Sequence, residues 1–123
     1  MDITEQIKRE EENQGRVFLC VSGTVLKAYE LSAYILAKCF PDVELVEEVD
    51  REKVNIVYAA AVDPNFTSED DDFQMMVSDD CVEMKCYAQK VIEKIPEWIN
   101  EFKRLKKKQH EENCCLGKAI GNI

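Results

Sequence analysis

The pattern of apolar and polar positions predicts strands in the first half of the chain. Residues 17–22, with the sequence VFLCVS, form a short apolar run rich in β-forming side chains that ends at Gly23. Residues 43–49 alternate in part between apolar and acidic side chains, which is typical of a half-exposed strand. Residues 53–62 form a second apolar run. We therefore expect three strands near these positions.

Between the first two predicted strands, the pattern predicts a helix over residues 24–40. Polar side chains at Lys27, Glu30 and Lys38 lie on one narrow stripe, and most other positions are apolar. Thr24 is a suitable N-cap, and Pro41 would end the helix. A helix with so wide an apolar surface must be covered on more than one side.

After residue 80, apolar residues recur at alternating steps of four and three, which is the spacing of a helical seam. Because proline lacks an N–H, Pro96 predicts a kink or a break near Ile95. We expect helices near 80–95 and 97–109. The seam consists of Met84, Ala88, Val91, Ile95, Trp98, Phe102 and Leu105.

Together these elements predict an α+β fold, in which a small three- or four-stranded sheet is packed by one apolar helix and followed by C-terminal helices. A chain of 123 residues has the size of a single domain. Within it we expect an α/β core over 16–64, an acidic loop over 65–80, a helical segment over 81–109 and a flexible tail over 110–123.

The net charge of the chain restricts the kinds of partner that it could bind. The chain carries 16 basic and 25 acidic residues, a formal net charge of −9. The acidic residues concentrate in the middle of the chain, and the C-terminal part is basic. Non-specific binding to nucleic acid depends on lysine and arginine, so this balance argues against it. An acidic surface favours a basic partner instead.

The ends and the cysteines predict an intracellular protein, cytoplasmic or nuclear. The hydrophilic N-terminus has no apolar signal-peptide core, and no run of about 18 apolar residues predicts a membrane segment. We accordingly expect the six cysteines to be reduced thiols.

Catalytic chemistry has weak support in the sequence. His110 is the only histidine, and it lies in a hydrophilic region, so a cysteine–histidine pair is not expected. Cys81 and Cys86 have a spacing that zinc could use, but on a helix these positions diverge around the axis. We expect no enzyme activity, no metal and no cofactor. A phosphate-binding turn at Gly23 and Thr24 remains the alternative.

Two groups of residues are candidates for binding. The apolar seam is predicted to contact a protein partner or a second copy of the chain through Trp98, unless it forms the domain's own core. The basic run over residues 103–108, with the sequence KRLKKK, could contact phosphates, although cations also favour the C-terminal end of a helix. The partner-binding candidates are Met84, Val91, Ile95, Trp98, Phe102 and Leu105, and the nucleic-acid candidates are Lys103, Arg104, Lys106, Lys107 and Lys108.

Residues 17–62 resemble the central part of the Alba superfamily, which includes archaeal chromatin proteins and protein subunits of ribonuclease P and MRP. The resemblance lies in VFLCVSG, the apolar segment TVLKAYELSAYILAKCF, Asp42-Val43-Glu44-Leu45, and the final run VNIVYAAAV. It implies a non-enzymatic subunit that associates with another protein or a second copy of itself in a ribonucleoprotein complex, with RNA contacted through that complex.

A second segment, VFLCVSGTVLKAYELSAYIL, resembles the opening strand, glycine and helix of flavoprotein decarboxylases. This similarity implies the alternative function, a small α/β protein that binds a flavin or a nucleotide.

Overall fold

A computed structural model describes residues 3–50, 55–66, 72–78 and 81–121. The elements follow one another along the chain in a mixed order of helices and strands. They are α1 (Ile3–Glu11), β1 (Val17–Ser22), β2 (Val25–Tyr29), α2 (Glu30–Cys39), β3 (Val46–Asp50), β4 (Asn55–Val62), β5 (Phe73–Ser78), β6 (Cys81–Cys86), α3 (Gln89–Ile92) and α4 (Ile95–Gly121).

The strands form one six-stranded sheet in the order β3-β4-β2-β1-β6-β5, and every neighbouring pair is antiparallel. The predicted α+β class is confirmed, but the sheet has six strands instead of three or four. The predicted strands near 17–22 and 53–62 correspond to β1 and β4, although residues 51–54 lie outside the described part. The strand predicted near 43–49 begins later, at Val46.

The predicted helix over 24–40 is wrong in its first part. Gly23 has a φ of 64° and turns β1 back into β2, so Thr24 lies in a hairpin turn instead of capping a helix. The helix α2 begins only at Glu30. The physical reason is that β2 lies in the middle of the sheet, where Leu26, Ala28 and Tyr29 are buried, and this mostly apolar pattern also fits a buried helix.

The predicted helix near 80–95 is also wrong in its first part. Residues 81–86 form strand β6, in which Met84 pairs with Val17 of β1. The seam is therefore divided between a strand and two helices. Pro96 lies in the first turn of α4, where a missing N–H costs nothing. This helix continues to Gly121 and so extends beyond residue 109 into the predicted tail.

The predicted acidic loop over 65–80 contains strand β5. Phe73 and Met75 pack against the main core, so the alternating apolar positions of this segment are those of a strand. The acidic positions 67–71 and 79–80 lie outside the described residues.

Successive side chains of each strand point to opposite faces of the sheet, and different helices pack on the two faces. One face packs against α2 and α4 and forms the main core, which includes Leu19, Ala28, Leu36, Trp98 and Phe102. The opposite face carries a smaller cluster in which Ile7 of α1 packs against Tyr29, Val57 and Ala59. Helix α1 thus covers part of the face opposite the main core.

Candidate functional site

A partly buried ion pair joins α2, β4 and α4. Lys106 Nζ lies 3.0 Å from Glu30 Oε2, and the backbone N–H of Tyr58 donates to Glu30 Oε1 at 2.7 Å. Lys106 Nζ also donates to the carbonyl of Ile56 at 3.1 Å and to Gln109 Oε1 at 2.8 Å. Glu30 is buried and has a φ of 52°, a left-handed conformation that residues other than glycine rarely adopt.

A second buried carboxylate joins α1 to α2. Ser32 donates to Glu10 through its backbone N–H and through its hydroxyl, each at 2.7 Å, and Asn13 Nδ2 donates to Glu10 Oε1 at 3.1 Å. The Ser32 hydroxyl oxygen also accepts the backbone N–H of Phe18 at 2.9 Å. Burial raises the pKa of Glu10 from 4.5 to about 7, although these hydrogen bonds act in the opposite direction.

A cavity of about 290 Å³ lies between these two groups. Its lining includes Glu10, Glu30 and Lys106 beside the apolar side chains of Ile99 and Phe102. Every oxygen of the two carboxylates accepts a hydrogen bond from the chain itself. We therefore assign a structural role to these carboxylates, which is to hold the helices on the sheet.

Sequence reasoning did not identify this cluster, because Glu30 and Lys106 are 76 positions apart. One signal was present, since Glu30 is a lone acid within an apolar segment. A buried carboxylate needs a cationic or hydrogen-bonding partner, but the sequence does not say which lysine supplies it.

The basic run on α4 is divided by the fold. Lys106 is half-buried in its ion pair with Glu30, which gives it a structural role, and its predicted contact with nucleic acid stays a prediction. The side chains of Lys103, Arg104, Lys107 and Lys108 are exposed.

The structure places the apolar seam in the chain's own core. Met84, Trp98 and Phe102 are 4%, 8% and 9% exposed, and they pack in one cluster with α2 and the sheet. Val91, Ile95 and Leu105 are partly buried against the same cluster. This burial supports the alternative that the seam forms the domain's own core, and the partner contact through Trp98 stays a prediction. The physical reason is that a six-stranded sheet covers more apolar helix surface than the small sheet that we expected.

Exposed apolar side chains lie at both edges of the sheet, and Val46 and Val49 of β3 are 38% and 62% exposed. The two edge strands are β3, with the sequence VEEVD, and β5, with the sequence FQMMVS. Met76 and Val77 of β5 are 45% and 74% exposed. The edge strand β5 carries no charged side chain, whereas β3 carries three acidic ones.

Acidic residues adjoin both ends of β5 in the sequence. The run Glu69-Asp70-Asp71-Asp72 precedes Phe73, and Asp79-Asp80 follows Ser78. Among the described residues, β5 is thus a candidate binding surface, and the sequence on both sides of it is acidic.

The predicted alternative at Gly23 and Thr24 lacks the geometry that it requires. A phosphate site of that kind needs a helix to begin after the glycine, and Thr24 leads into strand β2. Among the described residues, no group of three or more acidic, cysteine or histidine side chains is placed to hold a metal ion. No helix in the described part of the chain is long and apolar enough to cross a membrane.

No protein-family description matches the chain, no curated protein is similar to it, and no solved structure matches its fold. The resemblance to the Alba superfamily therefore stays a prediction. One part of that pattern differs here, since the glycine after the first strand leads into β2 before the apolar helix begins.

Proposed function

We propose that this protein is a non-enzymatic subunit that acts by associating with another protein, which adds an extended segment to the sheet along β5. The observation that supports this proposal is that β5 is an edge strand without charge and with large exposed apolar side chains. Main-chain N–H and C=O groups on the outer side of such a strand are a template for a further strand.

Comparison of the two edges favours β5 over β3. Charged side chains on an edge strand discourage pairing with another chain, and β3 carries Glu47 and Glu48 in its middle. Glu48 is in addition held by Lys27 of β2, with 2.6 Å between Nζ and Oε1. The middle of β5 carries the exposed Met76, whose flexible side chain adapts to varied surfaces.

Charge favours a different, basic protein over a second copy of the chain. Antiparallel pairing of two β5 strands about a twofold axis would bring the acidic flanks of one copy opposite those of the other, and like charges in that arrangement are destabilising. A segment with alternating apolar side chains and lysine or arginine at its ends would complement both features. In a ribonucleoprotein complex, such a basic partner would itself make the RNA contacts.

A peptide of this design tests the proposal. The probe is a fluorescein-labelled peptide in which valine and threonine alternate over the length of β5, with two lysines at each end. We expect it to bind, and we expect Val77→Lys to weaken binding by about tenfold because the new charge lies on the pairing strand. Val49→Lys is the matched control, since Val49 is 62% exposed on the other edge strand. Fluorescence anisotropy measures the dissociation constants.

Equal weakening by the two lysine variants would show that net charge alone governs binding, and the β5 edge would then be rejected. Equal binding of a peptide with glutamates in place of the lysines would reject the basic partner. Sedimentation of the wild-type protein as a dimer that Val77→Lys dissociates would identify a second copy as the occupant.

A further inference from the structure

Two cysteines lie directly opposite each other on neighbouring central strands. Cys20 of β1 and Cys81 of β6 are register partners in the antiparallel ladder, so their side chains project from the same face of the sheet. Directly opposed residues in such a ladder have Cα atoms about 4.5 or 5.5 Å apart, and both distances suit a disulfide bond. In this structure both residues are free thiols.

The two thiols differ in their access to solvent. Cys20 is 5% exposed, whereas Cys81 is half-buried at the beginning of β6. Burial raises the pKa of Cys20 above its usual value of 9.0. An external reagent can therefore reach Cys81, while Cys20 can react only with a group that is already bound beside it.

A guanidinium group covers this pair. Arg9 of α1 donates from Nη1 to Cys81 Sγ at 2.9 Å, and its guanidinium carbon lies 4.0 Å from the centre of the Phe18 ring. The stacking holds the cation in place over the sheet. Arg9 thus holds the Cys81 sulfur at a fixed position beside the sheet.

We propose that Cys20 and Cys81 form a thiol–disulfide exchange site for low-molecular-weight disulfides. The Cys81 thiolate attacks one sulfur of the external disulfide, forms a mixed disulfide and releases one small thiolate. Cys20 then loses its proton to solvent and attacks the Cys81 sulfur, which forms the Cys20–Cys81 bond and releases the second small thiolate. Two protein thiols are oxidised while one external disulfide is reduced to two thiols.

The other described cysteines provide an internal comparison. Cys39 lies on α2 and Cys86 at the end of β6, and both line a second cavity. Burial raises the pKa of Cys39 to about 12, so this thiol is a poor nucleophile at neutral pH. We therefore expect exchange at the Cys20–Cys81 pair before exchange at Cys39.

The test uses glutathione disulfide as the probe and the full chain as the protein. After reaction at neutral pH, free thiols are blocked and the protein is digested with trypsin without reduction. Cleavage after Lys27 and Lys85 separates the two cysteines of the pair from each other and from Cys86. We expect mass spectrometry to find the peptide of residues 17–27 linked to that of residues 54–85.

Variants assign the two roles. Cys20→Ser is expected to retain one glutathione on Cys81, because the second step is lost. Cys81→Ser is expected to leave Cys20 unmodified, because no accessible thiol begins the reaction. Arg9→Gln is expected to slow the first step. Circular dichroism before the reaction confirms that each variant is folded.

The proposal is overturned if wild-type protein gives no peptide linked between Cys20 and Cys81, whether Cys81 stays unmodified, keeps its glutathione or pairs with another cysteine. It is also overturned if Cys20 acquires glutathione in the Cys81→Ser variant while the fold is intact. These outcomes do not depend on the partner proposed for β5, which lies at the edge of the sheet.

Discussion

At the residue scale, Glu30 combines an unfavourable backbone conformation with favourable contacts of its side chain. A left-handed conformation costs a residue with a Cβ about 1–2 kcal/mol. The bend that it makes leads β2 directly into α2 and places the carboxylate within 2.7 Å of the Tyr58 backbone nitrogen and 3.0 Å of Lys106 Nζ. Charged hydrogen bonds of this kind offset the cost of the bend.

We predict that Lys106→Met destabilises the protein by about 3 kcal/mol, because it leaves the carboxylate of Glu30 buried without its cation. Lys107→Met is the matched control, since Lys107 is exposed on the same helix, and we expect it to change stability by less than about 0.5 kcal/mol. Urea unfolding measures both values. Equal effects of the two substitutions would contradict the assigned role of the ion pair.

The raised pKa of Glu10 predicts that the stability of the protein falls as the pH rises. Its pKa rises from 4.5 to about 7 on folding, so the folded chain binds the proton more tightly than the unfolded chain. Stability therefore falls as pH rises through this interval, and above pH 7 the loss is on the order of 3 kcal/mol. Glu10→Gln removes this dependence. From pH 5 to pH 8, the free energy of unfolding should thus fall by more in the wild type than in Glu10→Gln.

The neighbouring Glu11→Gln is the control for that measurement, because Glu11 is exposed on the same helix. We expect its stability to follow the wild-type pH dependence. Parallel pH profiles for the wild type and Glu10→Gln would show that Glu10 does not titrate in this interval.

At the element scale, the sequence predicted those elements whose patterns have a single interpretation. The strand over 17–22 and the helix boundary at Pro96 were found because a β-rich run closed by glycine and a proline in a helical pattern are specific local signals. The strand over 25–29 was missed because its apolar positions fit a buried helix equally well. Only tertiary pairing decides between the two.

The same ambiguity explains the error at β6. Met84 and Val91 are seven positions apart and continue the helical spacing, yet Met84 belongs to a strand that pairs with β1 and β5. The candidate site could not be predicted for a related reason. The exposure of Val77 depends on β5 being an edge strand, and this follows from the order of all six strands.

At the scale of the whole molecule, one core links helices α2 and α4 to the strands of the sheet. The main cluster joins residues distant in sequence, from Val17 and Leu36 to Tyr58, Val82 and Phe102. Because these elements share a single cluster, loss of packing in one of them weakens the whole, and we expect unfolding in one cooperative step.

Trp98 provides the test of this cooperativity and of the assignment of the apolar seam to the core. Its side chain is 8% exposed, so we predict that Trp98→Ala destabilises the protein by about 3–5 kcal/mol. Tyr87→Ala, at a position that is 58% exposed, should cost much less. Urea unfolding followed by far-ultraviolet circular dichroism and by methyl NMR signals should give one shared transition. A variant that kept wild-type stability but sedimented as a smaller species would instead show that Trp98 anchors a partner.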